Sequence, residues 1–136
     1  MRDIKYIVVH CTATQQTATI DSIKRYWKEV LKWKQVGYHF IIQADGKEVQ
    51  LLSVLHPSNG VKGYNQECIH VCYIGGIDKF GKPVDNRTEA QKKKLLERIT
   101  DLKYMFPKAM VQGHRDFDGV SKACPCFDAM EEYKHL

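Results

Sequence analysis

Residues 4–10 read Ile-Lys-Tyr-Ile-Val-Val-His (IKYIVVH), and this run sets the fold. Ile4, Tyr6, Ile7, Val8 and Val9 form a nearly continuous β-branched and aromatic stretch without glycine or proline. That pattern predicts a buried central strand. His10 sits at its C-terminal end, and in open α/β sheets ligands gather outside the carboxyl ends of strands. A histidine there is a candidate functional group, with a core imidazole satisfied by hydrogen bonds as the competing reading. Cys11 points to the opposite face if the extended chain continues, and reads as packing.

Working outward, Ile20 to Leu31 places Ile23, Tyr26, Trp27, Val30 and Leu31 at helical spacing. Thr19 or Asp21 can cap the first turn, so the segment predicts a helix with one core face that includes Tyr26 and Trp27. Gly37 then introduces YHFIIQ (38–43), Asp45-Gly46 supplies a favoured hairpin turn, and KEVQLL (47–52) returns as the second strand. Alternation puts Tyr38 and Phe40 on one face and His39 and Ile41 on the other. Only one of Tyr38 and His39 is therefore expected to look into a site.

Residues 53–66, SVLHPSNGVKGYNQ, are turn-rich and aperiodic, a connection long enough to be a functional loop. CIHVCYI (68–74) reads as another apolar strand, ending in Gly75-Gly76, where the backbone can pass close to a neighbour. Cys68 and Cys72 share a face but lie about 13 Å apart along a strand, too far to chelate one ion together. Thr88 to Gln91 form a capping box that opens a helix to about Phe106, with Leu95, Leu96, Ile99, Leu102 and Phe106 as its stripe. Ala109 to Val111 suggest a last short strand, and FDAMEEYKHL (127–136) a short terminal helix with Pro125 near its start. The order β, α, β-hairpin, loop, β, α, β, α predicts one α/β domain over residues 1–136, a central mixed β-sheet flanked by helices.

A chain of 136 residues with 43% hydrophobic composition has room for one real core. Five cysteines, an odd number at irregular spacing, point to free thiols or metal ligation rather than a disulfide framework. The opening MRDIKYIVVH has no signal-peptide h-region and the chain has no membrane-length apolar run. Synthesis in the cytoplasm without a signal peptide is expected. The net charge of +5 suits an anionic partner, either nucleic acid or an acidic polymer such as a bacterial wall. Lys92, Lys93, Lys94, Arg98 and Lys103 are interleaved with acids, as on a solvated helix face, and no groove-reading motif accompanies them. Nucleic acid is not an expected partner.

The segment GHRDFDGVSKACPCF (113–127) follows the last predicted strand and concentrates histidine, lysine and cysteine. His114 and Cys124, joined by His10, would supply three ligands to a zinc ion, leaving one position open for water. Two alternatives stand beside this. In one, Cys126 or Cys11 adds a fourth ligand and closes a structural site. In the other, Cys124 is a nucleophile paired with His114 and no metal is needed.

The runs VVHCTAT (8–14), VGYHFII (36–42), KGYN (62–65), VCYIGGID (71–78) and KACPCFD (122–128) resemble zinc-dependent N-acetylmuramoyl-L-alanine amidases of the phage lysozyme type. Peptidoglycan recognition proteins share their fold, and the resemblance spans nearly the whole chain. It implies zinc ligation by His10, His114 and Cys124, assistance by Tyr38 and Lys122, and a substrate contact at Asn65. The implied reaction is cleavage of the amide between N-acetylmuramic acid and L-alanine in peptidoglycan, on a wall reached by release or by another export route. A non-catalytic peptidoglycan-binding module of the same fold is the alternative.

Two imidazoles and one thiolate would leave the ion a net positive charge, enough to acidify water and polarise a carbonyl. Lys122 would then face the oxyanion, and Tyr38, with an ordinary pKa near 10, is better suited to donate than to accept a proton. Two departures accompany the resemblance. Relatives often carry a histidine where this chain has Gly60, with His56 a possible substitute. The His114 to Cys124 segment is also slightly longer than in phage relatives.

Overall fold

The β-branched run near the start of the chain forms β1 (Tyr6–Cys11), which has a parallel partner on each side. The computed structural model describes residues 2–136. Its elements are β1, α1 (Ile20–Arg25) continuing into a π-helical turn (Tyr26–Val30), β2 (Phe40–Ile42), β3 (Glu48–Gln50), β4 (Cys68–Tyr73), α2 (Glu89–Met105), β5 (Met110–Gly113) and α3 (Ala129–Glu132). The five strands make one mixed sheet in the order β3-β2-β4-β1-β5. Only the β2–β3 hairpin is antiparallel. This is the α/β architecture expected from the sequence.

Each face of the sheet has its own cover. Ile7, Val9 and Cys11 of β1, with Phe40, Ile42, Ile69, Val71 and Tyr73, form one core with Leu95, Ile99 and Leu102 of α2 and with Ala129 and Tyr133. The three α2 residues are at most 1% exposed, and each such burial contributes roughly 1.5–3 kcal/mol. Ile41 and Cys72 form a second cluster with Ile23 and Trp27, while Val8 and Cys68 form a third with Val61 and Phe117. Cys11 thus leaves His10's face, as alternation required. Cys68 and Cys72 are fully buried packing thiols.

The Thr88–Gln91 capping box forms, and Gln91 also donates to the carbonyls of Ile42 and Ile74, tying the start of α2 to two strand ends. Leu96 departs from the expected stripe and is 43% exposed, one position round the helix from buried Leu95. Four of the basic residues on α2 are engaged within the chain. Lys92 pairs with Glu89, Lys94 with Glu97 and Arg98 with Glu48, and Lys103 donates to the carbonyls of Pro107 and Ala109. Asp128 caps α3, its side chain accepting from the Glu131 amide, with Pro125 shortly before it. Arg87 holds this end together: its guanidinium bonds Asp85 and Glu132 and lies 3.5 Å over the Phe127 ring.

The second expected helix changes character midway. From Tyr26 the turn widens to the π form, with the Leu31 amide donating to the Tyr26 carbonyl. The wider turn breaks the 3.6-residue period, so Trp27 stays in the core while Tyr26 and Val30 swing out to 52% and 62% exposure. The expectation that Tyr26 packs in the core is therefore incorrect. Among the described residues no helix is long and apolar enough to cross a membrane.

Candidate metal centre

His10 leaves the C-terminal end of β1 on the face away from α2, opposite Cys72 of β4. β5 ends at Gly113 and delivers His114 into a single 3-10 turn beside it. The His10 and His114 rings lie 4.9 Å apart. Cys124 returns along the same edge, its carbonyl accepting from the Arg115 amide. Gly113 permits this approach, because a Cβ there would come within 2.6 Å of the Pro125 ring.

One donor atom from each of His10, His114 and Cys124 lies within 4.8 Å of the others. His10 Nε2 is engaged elsewhere, at 2.8 Å from His70 Nδ1, so Nδ1 is the atom turned to Cys124 Sγ at 3.9 Å. Ligand bonds of about 2.0 and 2.3 Å at a tetrahedral angle would place a nitrogen and a sulfur about 3.5 Å apart. The observed spacing is within a few tenths of an ångström of that. The backbone N–H of Cys11 donates to Cys124 Sγ at 3.1 Å and fixes the sulfur beside the two rings. Burial holds the His10 imidazole well below its usual pKa, with further lowering from His70, His114 and Lys122. Burial, with the charge of Lys122, brings His114 down to about 4. Both rings are therefore neutral, ligand-competent bases at pH 7. Two imidazoles and a thiol suit a borderline-soft divalent ion, and the group can hold a metal.

Neither Cys11 nor Cys126 joins this group. The Cys11 side chain is on the far face of β1, and Cys126 Sγ lies 3.9 Å from Cys11 Sγ and donates to the Gly76 carbonyl. Cys126 is half-buried at the edge of the main core, a packing position.

The trio opens on a groove of about 1180 Å³ whose walls include Tyr38, Lys122, Asn65, Lys62, Tyr26 and Trp33. Tyr38 packs its ring 5.0 Å from His10 and edge-on to Trp27 at 5.4 Å, its hydroxyl 3.4 Å from the Cys11 carbonyl. Burial, followed by the nearby thiols of Cys72, Cys124 and Cys11, pushes its phenol well above the usual pKa. Alternation does not hold here. Tyr38 packs with the cluster of Ile41, not with Phe40, because the last ladder hydrogen bonds are those of His39, with His70 and Leu51, and Tyr38 lies beyond them. His39 also serves this side: it is fully buried and stacks on His70 with ring centroids 5.9 Å apart. The structure thus brings both residues to the site's face, Tyr38 at the groove and His39 behind it.

Asn65 stands at the groove with its Oδ1 turned inward, accepting from the Gly60 and Val61 amides at 3.1 and 2.8 Å and lying 2.9 Å from His70 Nε2. His56 does not substitute at Gly60. Its side chain is exposed and away from the groove walls, and its carbonyl accepts from His39 Nε2. The residue that sequence reasoning missed is His70, hidden in the apolar run CIHVCYI. Its parity with Cys68 and Cys72 was the available signal, since all three must share a face.

The sequence profile of the N-acetylmuramoyl-L-alanine amidases matches residues 1–127. The endolysin of Klebsiella phage KP32 is 38% identical over 128 residues, covering 93% of this chain and 83% of that protein. Among solved structures, the Ph2119 endolysin from a Thermus scotoductus bacteriophage superposes with a TM-score of 0.78 at 25% identity, over 92% of this chain and 79% of its own. The endolysin amidase LysCS from Clostridium intestinale gives 0.81 at 21% identity, over 98% and 83% of the two chains.

Proposed function

This chain belongs to the N-acetylmuramoyl-L-alanine amidase family, and from that premise we propose that it cleaves the amide between the lactyl group of N-acetylmuramic acid and L-alanine in bacterial peptidoglycan, as a phage or prophage endolysin. His10, His114 and Cys124 are proposed to hold a zinc ion, Tyr38 and Lys122 to assist the reaction, and Asn65 to contact substrate. The observation that carries this reading is two imidazole nitrogens and one sulfur gathered within 4.8 Å on the wall of a groove large enough for a muropeptide.

Held by His10, His114 and Cys124, zinc would supply Lewis acidity at the amide carbonyl and would acidify a water toward a pKa of ~7. The chain's own groups handle the charge and protons that follow. Lys122 lies on the groove wall, and its charge reaches both histidines. An ammonium so placed stabilises the oxyanion that develops when the carbonyl is attacked. Tyr38, held protonated by burial, donates its hydroxyl proton or hydrogen bond toward the oxyanion or the leaving amine and does not act as a base. The Asn65 side-chain nitrogen makes no hydrogen bond among the described residues and is free to donate to a ligand carbonyl.

Purified protein incubated with peptidoglycan should release stem peptides bearing a new free alanine amine. Activity should disappear on chelation and return with added zinc. Binding to peptidoglycan without any new amine would instead identify a non-catalytic wall-binding module. Activity that survives complete metal removal would favour Cys124 as a nucleophile.

A further inference from the structure

Gly60 sits in the loop between β3 and β4, and a Cβ built on it would lie 2.3 Å from His70 Nδ1 and 2.4 Å from His70 Cγ and Cε1. The backbone at Gly60 is not in the left-handed region, so the conformation itself admits a side chain. What excludes one is the imidazole of His70, fully buried and rising from β4 below. Where the family resemblance implies an imidazole from the loop, this chain supplies one from the strand.

That ring lies in a hydrogen-bonded chain whose direction is fixed. The Gly60 and Val61 amides can only donate, so the Asn65 atom they share is its oxygen. The 2.9 Å contact from that oxygen to His70 Nε2 therefore makes Nε2 the donor. A neutral His70 protonated at Nε2 offers a lone pair at Nδ1, and the 2.8 Å contact there makes His10 Nε2 the next donor. His10 is left with its lone pair on Nδ1, the atom 3.9 Å from Cys124 Sγ. His70 is clamped in turn: its ring stacks on His39 at a 12° interplanar angle, and its amide donates to His39 Nδ1 at 3.0 Å.

We propose that His70, braced by Asn65, is a positioning residue that fixes His10 in the Nε2–H tautomer and presents its Nδ1 lone pair to the metal. This rests on the metal-site reading of His10, His114 and Cys124. An outer partner that holds a ligand imidazole raises metal affinity about 10- to 100-fold. The same volume, filled from position 60, should do the same work.

Two measurements test it on the full chain. Nitrogen-15 NMR of the metal-free protein should show His10 as the Nε2–H tautomer. An Nδ1–H tautomer would overturn the proposal whether or not His70 variants fold. Zinc competition with a chromophoric chelator should show His70→Gly binding about 10- to 100-fold more weakly than wild type. The exchange variant Gly60→His/His70→Gly should recover at least about tenfold of the loss. Affinity within about twofold of wild type in folded His70→Gly, or an exchange variant no tighter than His70→Gly, would overturn it. A wild-type chain that binds no zinc would defeat the metal reading, while the tautomer measurement would still report on the His70 contact.

Discussion

Acidification of the metal-free chain should destabilise it first through its imidazoles, before its carboxylates titrate. His10, His39, His70 and His114 lie on one side of the sheet, and burial is the first cause lowering each of them. A base whose folded pKa is depressed binds fewer protons folded than unfolded, so stability is full above about 6.5 and falls as pH drops toward the folded value. His39 goes from 6.5 to about 4, which at ~1.4 kcal/mol per pH unit amounts to about 3 kcal/mol over that window. His114 also drops to about 4 but is partly exposed, and halving its share for solvent screening leaves about 1.5 kcal/mol. His10 and His70 add in the same direction. Against a typical total of about 5–15 kcal/mol, this is enough to bring a domain of this size close to unfolding by pH ~4.5. Burial works against the Asp85 and Glu132 carboxylates but Arg87 outweighs it and holds both below their usual values, so their contribution is lost only as pH falls below the carboxylate range. Urea unfolding followed by far-UV circular dichroism at pH 7, 6 and 5, with chelator present, should show a fall of at least about 3 kcal/mol from pH 7 to pH 5. A change under about 1 kcal/mol would refute the neutral, buried placement of these rings.

Lys122→Met should leave zinc affinity within about twofold and lower turnover about 10²- to 10³-fold, read by amine release from peptidoglycan; normal turnover would remove Lys122 from the oxyanion's surroundings. Tyr38→Phe keeps the ring packing on His10 and Trp27 and loses only a long 3.4 Å hydrogen bond. Its melting temperature should shift by under about 2 °C while kcat falls about 100-fold or more, and a large Tm loss with normal kcat would reverse the assignment. Arg87→Met strands Asp85 and Glu132 and removes the guanidinium from Phe127. Calorimetry should show a loss of about 2 kcal/mol, near 8 °C in Tm, with zinc affinity unchanged.

The elements that could be read from sequence are those whose cause is local. IKYIVVH becomes an interior strand because its side chains can be satisfied only by burial on both faces. Thr88 and Gln91 form their reciprocal cap because both partners lie within one turn. The failures have non-local causes. Nothing within Ile20–Leu31 distinguishes a 3.6-residue period from the π turn that turns Tyr26 toward solvent. Likewise, alternation assigns Tyr38 a face only if the ladder extends to it, and the hydrogen bonds to the neighbouring strands stop at His39.

The site divides along the same line, and Gly60 shows why. His10 was legible from its place at a strand end, and His114 and Cys124 from residue type strengthened by resemblance. His70 was not, because a histidine inside an apolar strand has the same pattern whether it faces a helix, a loop or a ligand. Its role depends on the register that sets it opposite Val8, one step of the face from His10, and on a glycine ten residues upstream folding over it. Read alone, Gly60 is a missing imidazole. Beside His70 it is a contact surface, since the glycine is what allows the strand's ring to reach both His10 and Asn65. A lost side chain in one element and a buried polar one in another are then a single fact about a shared volume. Whether His10 is held correctly depends on that volume containing an imidazole, and not on which element delivers it.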